Sequence, residues 1–264
     1  MQTSTIWANS QVVKEYVTNT TLQKPEQTIL DSIAPKLKHM RMLDIGIGGG
    51  RTTHHFADLV KEYVGSDFAP EMVTACKEKF SDRKKLTFKI ADVRDLSQFK
   101  ANYFDLVLFS FNGLDCLTEK EERQQAIQEI KQVLAPNGLF IFSSHNINAV
   151  DKIYSIQPSK NPIKILLRIL KFALIPFFNG AKKSLKAQDS AVIRDGVHQF
   201  RVKLFYIKPL RLLDSHRQLS KKMSVIYRLV FIPLPYFEIK NRLVNDWWYS
   251  NLVDNFFMPK IKTI

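Results

Sequence analysis

Met42-Leu43-Asp44-Ile45-Gly46-Ile47-Gly48-Gly49-Gly50-Arg51 decides how this chain reads: an apolar run is interrupted by one acid and empties into glycines. The pattern predicts a buried strand, a tight turn and a helix start, with backbone exposed to a ligand at the turn. Glycines occupy alternate positions 46, 48 and 50, whereas the phosphate-gripping dinucleotide fingerprint needs its third glycine where Arg51 stands. Asp44 points the same way. A carboxylate would repel a pyrophosphate and attract an ammonium or sulfonium group. The cation-bearing nucleotide that fits is S-adenosylmethionine.

Working outward, residues 10–38 predict two helices, the second opened by Pro25 and Glu26 with Ile29, Leu30, Ile33 and Leu37 on one face. Tyr16 lies in the first, as a packing anchor or as a lid over a cofactor pocket. A helix over about 52–61 follows the turn, and Glu62-Tyr63-Val64-Gly65-Ser66-Asp67 is a second strand ending in an acid. Asp67 stands 21 residues after Gly46, near the ~20-residue offset at which an acid meets the ribose hydroxyls of a nucleotide bound at the first turn. It would equally cap the helix that starts near Pro70. Met72, in that helix, is either core or a polarizable contact for an adenine ring.

Leu86–Ala91 is a third strand running into Asp92-Val93, with Asp92 the natural acceptor for an adenine amino group. The fourth, Phe104–Ser110, leads into Phe111-Asn112-Gly113. A helix over about 119–134 and the turn Pro136-Asn137-Gly138 precede a fifth strand, Leu139–Ser144, ending at His145-Asn146. Strands with acidic ends alternating with helices predict a parallel sheet with ligand groups at the strands' carboxyl ends.

Together these motifs resemble a class I, Rossmann-like S-adenosylmethionine-dependent methyltransferase over roughly residues 10–146. Residues 43–50 resemble the family's first motif, which implies that Gly46, Gly48 and Gly50 cradle the methionine part of the cofactor beside Asp44. Residues 64–67 with Met72 resemble the second, which implies Asp67 on the ribose and Phe68 and Met72 near the adenine. Ala91-Asp92-Val93 resembles the third, on the adenine edge, and residues 104–107 with Ser110-Phe111-Asn112 the fourth, bordering methyl donor and substrate. Asn137-Gly138 replaces the usual glycine pair before strand five. The fold implied is α/β, a doubly wound, seven-stranded, mostly parallel sheet closed by an antiparallel hairpin, here with a basic helical insertion between strands five and six.

We expect one methyltransferase domain over 1–264: N-terminal helices (1–40), cofactor core (41–146), basic insertion or cap (147–195) and substrate-side strands (196–264). Residues 1–145 carry 18 basic and 18 acidic side chains and residues 146–264 carry 21 and 7, so the net charge of +14 belongs to the second half. Such a field favours an anionic acceptor, nucleic acid or an anionic membrane. Ile163 to Ile175 predicts a basic amphipathic helix, either lying on a membrane or capping the site, with Lys182, Lys183 and Lys186 extending the patch. The run 163–178 is too short and too charged to span a bilayer. The two cysteines and the lack of a charged, then apolar, N-terminus predict a reduced, cytoplasmic protein.

Val197–Ile207 predicts the sixth strand, Leu210–Leu219 a returning helix, Trp247–Val253 the seventh strand, and Val225–Phe237 an apolar connector. For chemistry, His145 is the candidate base, since histidine ordinarily exchanges a proton near neutrality; the other reading is a loop histidine bonded to backbone. Asn112 would orient an acceptor, and His198 and Tyr206 would approach the same pocket or serve structure. No metal site is expected, because His54 and His55 lack a third ligand. The activity expected is methylation of a small molecule, on oxygen, with a sugar, acidic metabolite or lipid-linked acceptor. A nucleic-acid methyltransferase is the alternative enzyme, weakened by Ser110-Phe111-Asn112-Gly113 standing where base-amine enzymes often carry an Asn-Pro-Pro-Tyr-like motif. A non-catalytic cofactor or membrane binder is the remaining class.

Overall fold

The computed structural model describes residues 4–156, 159–209, 211 and, as backbone, 224–227. Helices α1 (Ser4–Trp7), α2 (Ser10–Thr18) and α3 (Lys24–Leu37) lead in. Asn9 caps α2, its side-chain oxygen accepting from the Gln11 and Val12 amides at 3.0 and 3.4 Å. Glu26, in the first turn of α3, reaches back to accept from the Gln23 amide at 2.8 Å. The strands and helices β1 (Arg41–Ile45), α4 (Thr53–Phe56), β2 (Glu62–Asp67), α5 (Pro70–Lys79), β3 (Leu86–Ile90), β4 (Phe104–Phe109), α6 (Lys120–Val133) and β5 (Leu134–Phe142) then alternate; β5 begins at Leu134, which pairs with Phe104, and so takes in the expected turn Pro136-Asn137-Gly138 before its register with β4 resumes at Leu139.

The main sheet has the order β3-β2-β1-β4-β5-β9, where β9 is Ser224–Tyr227, and every pairing is parallel. Strand direction of travel reverses between β1 and β4, so their carboxyl ends border the crevice where such sheets bind ligands. The two-residue period of β1 and β4 sends alternate side chains to opposite faces. Leu43, Ile45, Val107 and Phe109 pack with Ala126, Ile127, Ile130 and Val133 of α6. Met42, Leu106 and Leu108 pack with Ile29, Leu30, Ile33 and Leu37 of α3 and Val73 and Cys76 of α5. Leu37, Met42, Leu43, Leu106 and Ile130 are completely buried, each worth about 1.5–3 kcal/mol against exposure.

A second sheet stands beyond β5. It comprises β6 (His145–Asn146), β7 (Ser190–Ile193) and β8 (Leu204–Ile207) in the order β6-β8-β7, with β6 parallel and β7 antiparallel to β8. Between β6 and β7 lie α7 (Val150–Ile153), α8 (Pro162–Asn179) and α9 (Lys182–Ala187).

The second half departs from expectation. Residues 197–203 are not strand: after Gly196, at φ 88°, His198, Gln199 and Phe200 take left-handed φ of 46°, 59° and 64°, which no extended ladder accepts. Only 204–207 is strand, and it joins the small sheet. The sixth place in the main sheet goes to Ser224–Tyr227, whose first residues pair with β5 from Leu139↔Ser224 onward, inside the stretch expected as a connector. The helix after the glycine turn is one turn, 53–56, because the chain must swing back for the Lys61 amide to reach the Met40 carbonyl at 2.9 Å and open β2. The expected helix 210–219, apart from Arg211, and the expected strand 247–253 lie outside the described residues.

Candidate functional site

Gly46, Gly48 and Gly50 have φ of 66°, 51° and 76°, a left-handed path that costs other residues strain. The turn is held from β2: the Gly46 and Ile47 amides donate to the Ser66 carbonyl at 2.8 and 3.1 Å, and the Gly48 amide donates to Asp67 Oδ2 at 2.9 Å. Asp67 Oδ1 accepts from the Ala69 amide at 3.0 Å, so the carboxylate ties the glycine turn to the residue that leads into α5, while the α5 N-cap is Ala69 and receives no side-chain bond. Burial raises the Asp67 pKa, against the pull of these amides. Asp44 Oδ2 accepts from Thr52 Oγ1 at 2.5 Å and from the Tyr63 hydroxyl at 2.8 Å. Burial outweighs those bonds and lifts the Asp44 pKa to about 6.

The end of α2 lies directly on this turn. A Cβ on Gly49 would stand 2.3 Å from the Tyr16 carbonyl carbon and the Val17 nitrogen, and one on Gly48 would stand 2.9 Å from the Tyr16 ring. Lys79 Nζ fastens the contact, donating to the carbonyls of Val17 at 2.7 Å and Gly49 at 2.9 Å. Tyr16 is thus brought to the glycine turn, with Trp7 edge-on against it at 5.5 Å.

Around the turn, Phe68 is 40% exposed whereas Met72 is buried in the protein interior. Asp92 is engaged by Arg94, which donates from its backbone amide and guanidinium at 2.6–3.1 Å and also reaches Glu122. Val93 is buried beside it. Ser110 donates to Glu26, and so does Arg51, whose guanidinium also lies 4.7 Å over the Phe111 ring. Burial pushes the Glu26 pKa up, but Arg51, Ser110 and the Gln23 amide overcome it and leave the carboxyl below its ordinary value. This buried Arg51–Glu26–Ser110 group was missed in the sequence. Its one visible signal was an arginine in the place of a third glycine. A small, partly open recess adjoins it, lined by Glu26, Thr52, Ser110 and Ser143 among apolar walls.

Beyond the end of β4, Phe111 and Asn112 are left-handed, at φ 55° and 60°, and the Asn112 amide donates to Ser143 Oγ at 2.7 Å. Here the structure assembles a polar centre. Asp115 accepts three bonds: from Ser144 Oγ at 2.8 Å, from the His145 amide at 2.6 Å and from His145 Nδ1 at 2.7 Å. Because an ionised carboxylate only accepts, Nδ1 carries the proton and Nε2 presents its lone pair. Asn112 Nδ2 lies 3.1 Å from Nε2 and donates to it. That orientation leaves Asn112 Oδ1 buried with no hydrogen-bond partner among the described residues. Tyr206 stacks on the imidazole at 4.5 Å, and its hydroxyl donates to Asp195 Oδ2 at 3.1 Å.

The structure therefore brings His145, Asn112 and Tyr206 together and adds Asp115. Nothing marked Asp115 in sequence, since it lies in a 3-10 turn (Gly113–Cys116) thirty residues before its partner. His198 is placed otherwise than expected: its ring meets Trp7 edge-on at 5.1 Å from the left-handed turn rather than from a strand. Desolvation lowers its pKa. The two ends of the site are linked by Phe109, the near neighbour of any Cβ placed on Gly46 or on Gly113. A turn free of side chains at 46, 48, 49 and 50, with Asp44 behind it and Asp67 across it, fits a nucleotide bearing a positive charge.

Residues 43–142 match the family model described as a methyltransferase domain. The norajmaline N-methyltransferase of Rauvolfia serpentina is 30% identical over 144 residues, 51% of this chain and 46% of its own. The methyltransferase candidate YqeM of Bacillus subtilis is 25% identical over 114 residues, 43% of this chain and 46% of its own. The chain thus spans a little under half the length of these two relatives. Among solved structures, the PH0226 protein of Pyrococcus horikoshii superposes with a TM-score of 0.50 at 19% identity, over 80% of this chain and 89% of that one.

Proposed function

We propose that this chain, whose residues 43–142 match the methyltransferase-domain model, is a class I, S-adenosylmethionine-dependent enzyme that methylates a hydroxyl of a small-molecule acceptor. The observation that carries the choice of oxygen is the Asp115–His145 pair. With Nδ1–H held by a buried carboxylate, His145 offers Nε2 as a base once the acceptor hydroxyl takes the place of Asn112 Nδ2 against it, and Asp115 stabilises the imidazolium that forms when it takes the acceptor's proton. Asn112 Oδ1, lacking a partner, accepts from a second donor on the acceptor, a neighbouring hydroxyl of a sugar or of a lipid-linked compound. When bound, S-adenosylmethionine supplies the methyl carbon as an electrophile. The chain's part is to align the acceptor oxygen and remove its proton.

On the cofactor side, Gly46 and Gly48 line the methionine end with Asp44 behind them, and Asp67 reads the ribose. Phe68 and Asp92 border the adenine, and Tyr16 closes over the turn. Buried Met72 and Val93 support that wall from beneath, Ser110 marks the border with the acceptor, and Gly50 keeps the helix start clear of Phe80. The chain acts as one catalytic unit in the cytoplasm, and its basic second half suits an acidic or lipid-linked acceptor.

Calorimetric titration with S-adenosylmethionine, with release of S-adenosylhomocysteine across a panel of hydroxyl and amine acceptors, tests the reading. Micromolar-range binding lost in Asp67→Ala, and turnover on hydroxyl acceptors lost in His145→Ala with binding retained, is the expected result. Turnover on amines alone that survives His145→Ala would sink the oxygen assignment.

A further inference from the structure

Helix α8 carries most of the exposed large apolar side chains of the described residues. Ile163, Leu166, Leu167, Leu170, Leu174, Phe177 and Phe178 recur at helical spacing, and each is exposed, Phe177 at 81% and Ile163 at 68%. At 100° per residue they fall within about 60° of one line along the helix. The side that packs is nearly opposite. Ile175 is buried in the cluster holding Ile147, Val150, Ile193 and Tyr206, and Asn179 ties the helix end to residue 194, accepting from the Arg194 amide at 2.7 Å and donating to its carbonyl at 2.9 Å. Phe178, at the edge of the stripe, stacks on Phe200 of the body at 4.9 Å. The other six side chains, turned away from the body, are not what a solvated cap presents.

Charge identifies what covers it. Residues 151–188 contain eight basic residues, Lys152, Lys160, Lys164, Arg168, Lys171, Lys182, Lys183 and Lys186, against one acid, Asp151, which pairs with Lys182 at 3.2 Å and Lys186 at 2.5 Å. Residues 212–264 hold eight more basic residues against four acidic ones, so the remainder of the chain offers no anionic complement, and a second copy would set cation against cation. No described helix is long and apolar enough to cross a membrane. A helix with a wide apolar stripe, three cations (Lys164, Arg168 and Lys171) and no acid, flanked by further lysines, matches the chemistry of an anionic bilayer surface, where side chains enter the acyl boundary and cations meet headgroups.

We propose that α8 is an interfacial helix that seats this protein on anionic lipid, with Ile163, Leu167, Leu170, Leu174 and Phe177 inserted. Its packed side belongs to the cluster that contains Tyr206, whose ring lies on His145. The docked helix therefore stands one packed layer from the polar centre.

The test uses the full chain and reads no methyl transfer, so its failure leaves the enzymatic reading intact. Flotation with vesicles of phosphatidylcholine containing phosphatidylglycerol is compared with phosphatidylcholine alone, for wild type, for Leu167→Glu/Phe177→Glu and for Phe177→Trp. The proposal expects salt-sensitive binding to the anionic vesicles, weaker by roughly tenfold or more on phosphatidylcholine. It expects roughly a 100-fold loss in the double variant at unchanged circular dichroism. In Phe177→Trp, indole emission moves to the blue only when anionic vesicles are added. Absence of binding, or binding equal in the double variant, overturns it. So does blue emission without vesicles, which would mean that the chain's own C-terminal segment covers the stripe. A dimer that the double variant dissolves overturns it in favour of a second copy, and vesicle-independent binding of an RNA oligomer in favour of nucleic acid.

Discussion

Asp115→Asn tests the polar centre most directly. The native carboxylate accepts from three donors, two of them on His145, and it is buried at 1% exposure. An asparagine has one accepting oxygen. Facing its amide nitrogen to the His145 amide and Nδ1–H would oppose donors, so the oxygen must take the Oδ2 place and the nitrogen the Oδ1 place, where the Ser144 hydroxyl can rotate to accept. The bond count survives while three charge-assisted bonds become neutral ones, at a cost of about 1 kcal/mol each, so about 3 kcal/mol in all. Asp115→Ala leaves all three donors without a partner, and about 3–5 kcal/mol is expected. The Nδ1–H tautomer persists in Asp115→Asn, but the imidazolium formed during proton removal loses its counter-charge, so turnover should fall by about 10²–10⁴. Urea unfolding, imidazole ¹⁵N shifts, S-adenosylmethionine titration and S-adenosylhomocysteine release read the four quantities separately. A folded Asp115→Asn protein that binds cofactor normally and turns over within about threefold of wild type would refute the assignment of His145 as the base.

Gly49→Ala should cost at least about 1–3 kcal/mol and release α2, because its Cβ meets backbone atoms at 2.3 Å; limited proteolysis between residues 8 and 20 reads the release against wild type. The Asp44 carboxyl has a folded pKa near 6 against 3.8 ordinarily, so it binds more protons folded than unfolded between those values, and stability falls as pH rises from about 4 through 6. S-adenosylmethionine affinity should run the opposite way, weakening as pH drops through 6 and neutralises the carboxylate, and Asp44→Asn should flatten both profiles in urea melts and calorimetry. Glu26→Gln should destabilise by about 3–5 kcal/mol by leaving the Arg51 charge under-compensated in the interior, and Glu26→Gln/Arg51→Met should recover most of that loss in thermal melts.

The sequence by itself determined the first five strands and the helices among them. Met42–Ile45, Phe104–Phe109 and Leu139–Phe142 are apolar runs of strand length punctuated by Gly, Pro and Asn, and such local signals survive any tertiary context. It likewise determined the glycine turn and Asp67 across from it, because both are set by spacing along one strand-turn-helix unit. Only the tertiary structure decided the polar grouping around His145. His145 was legible as a residue past a strand end, but Asp115, Ser144 and Asn112 become its partners through the packing of β4 against β5 and a left-handed turn at 111–112. It also decided which run joins the main sheet. Residues 197–207 and 224–227 both carry β-forming side chains, and the choice fell to Gly196 and the left-handed residues behind it, which break the first run short of Leu204. The face of α8 that packs followed the same rule: its leucines and phenylalanines promised burial by composition, whereas the body of the protein offers contact on the side of Ile175. Burial is a property of what lies opposite, and that is supplied by residues far away in the chain.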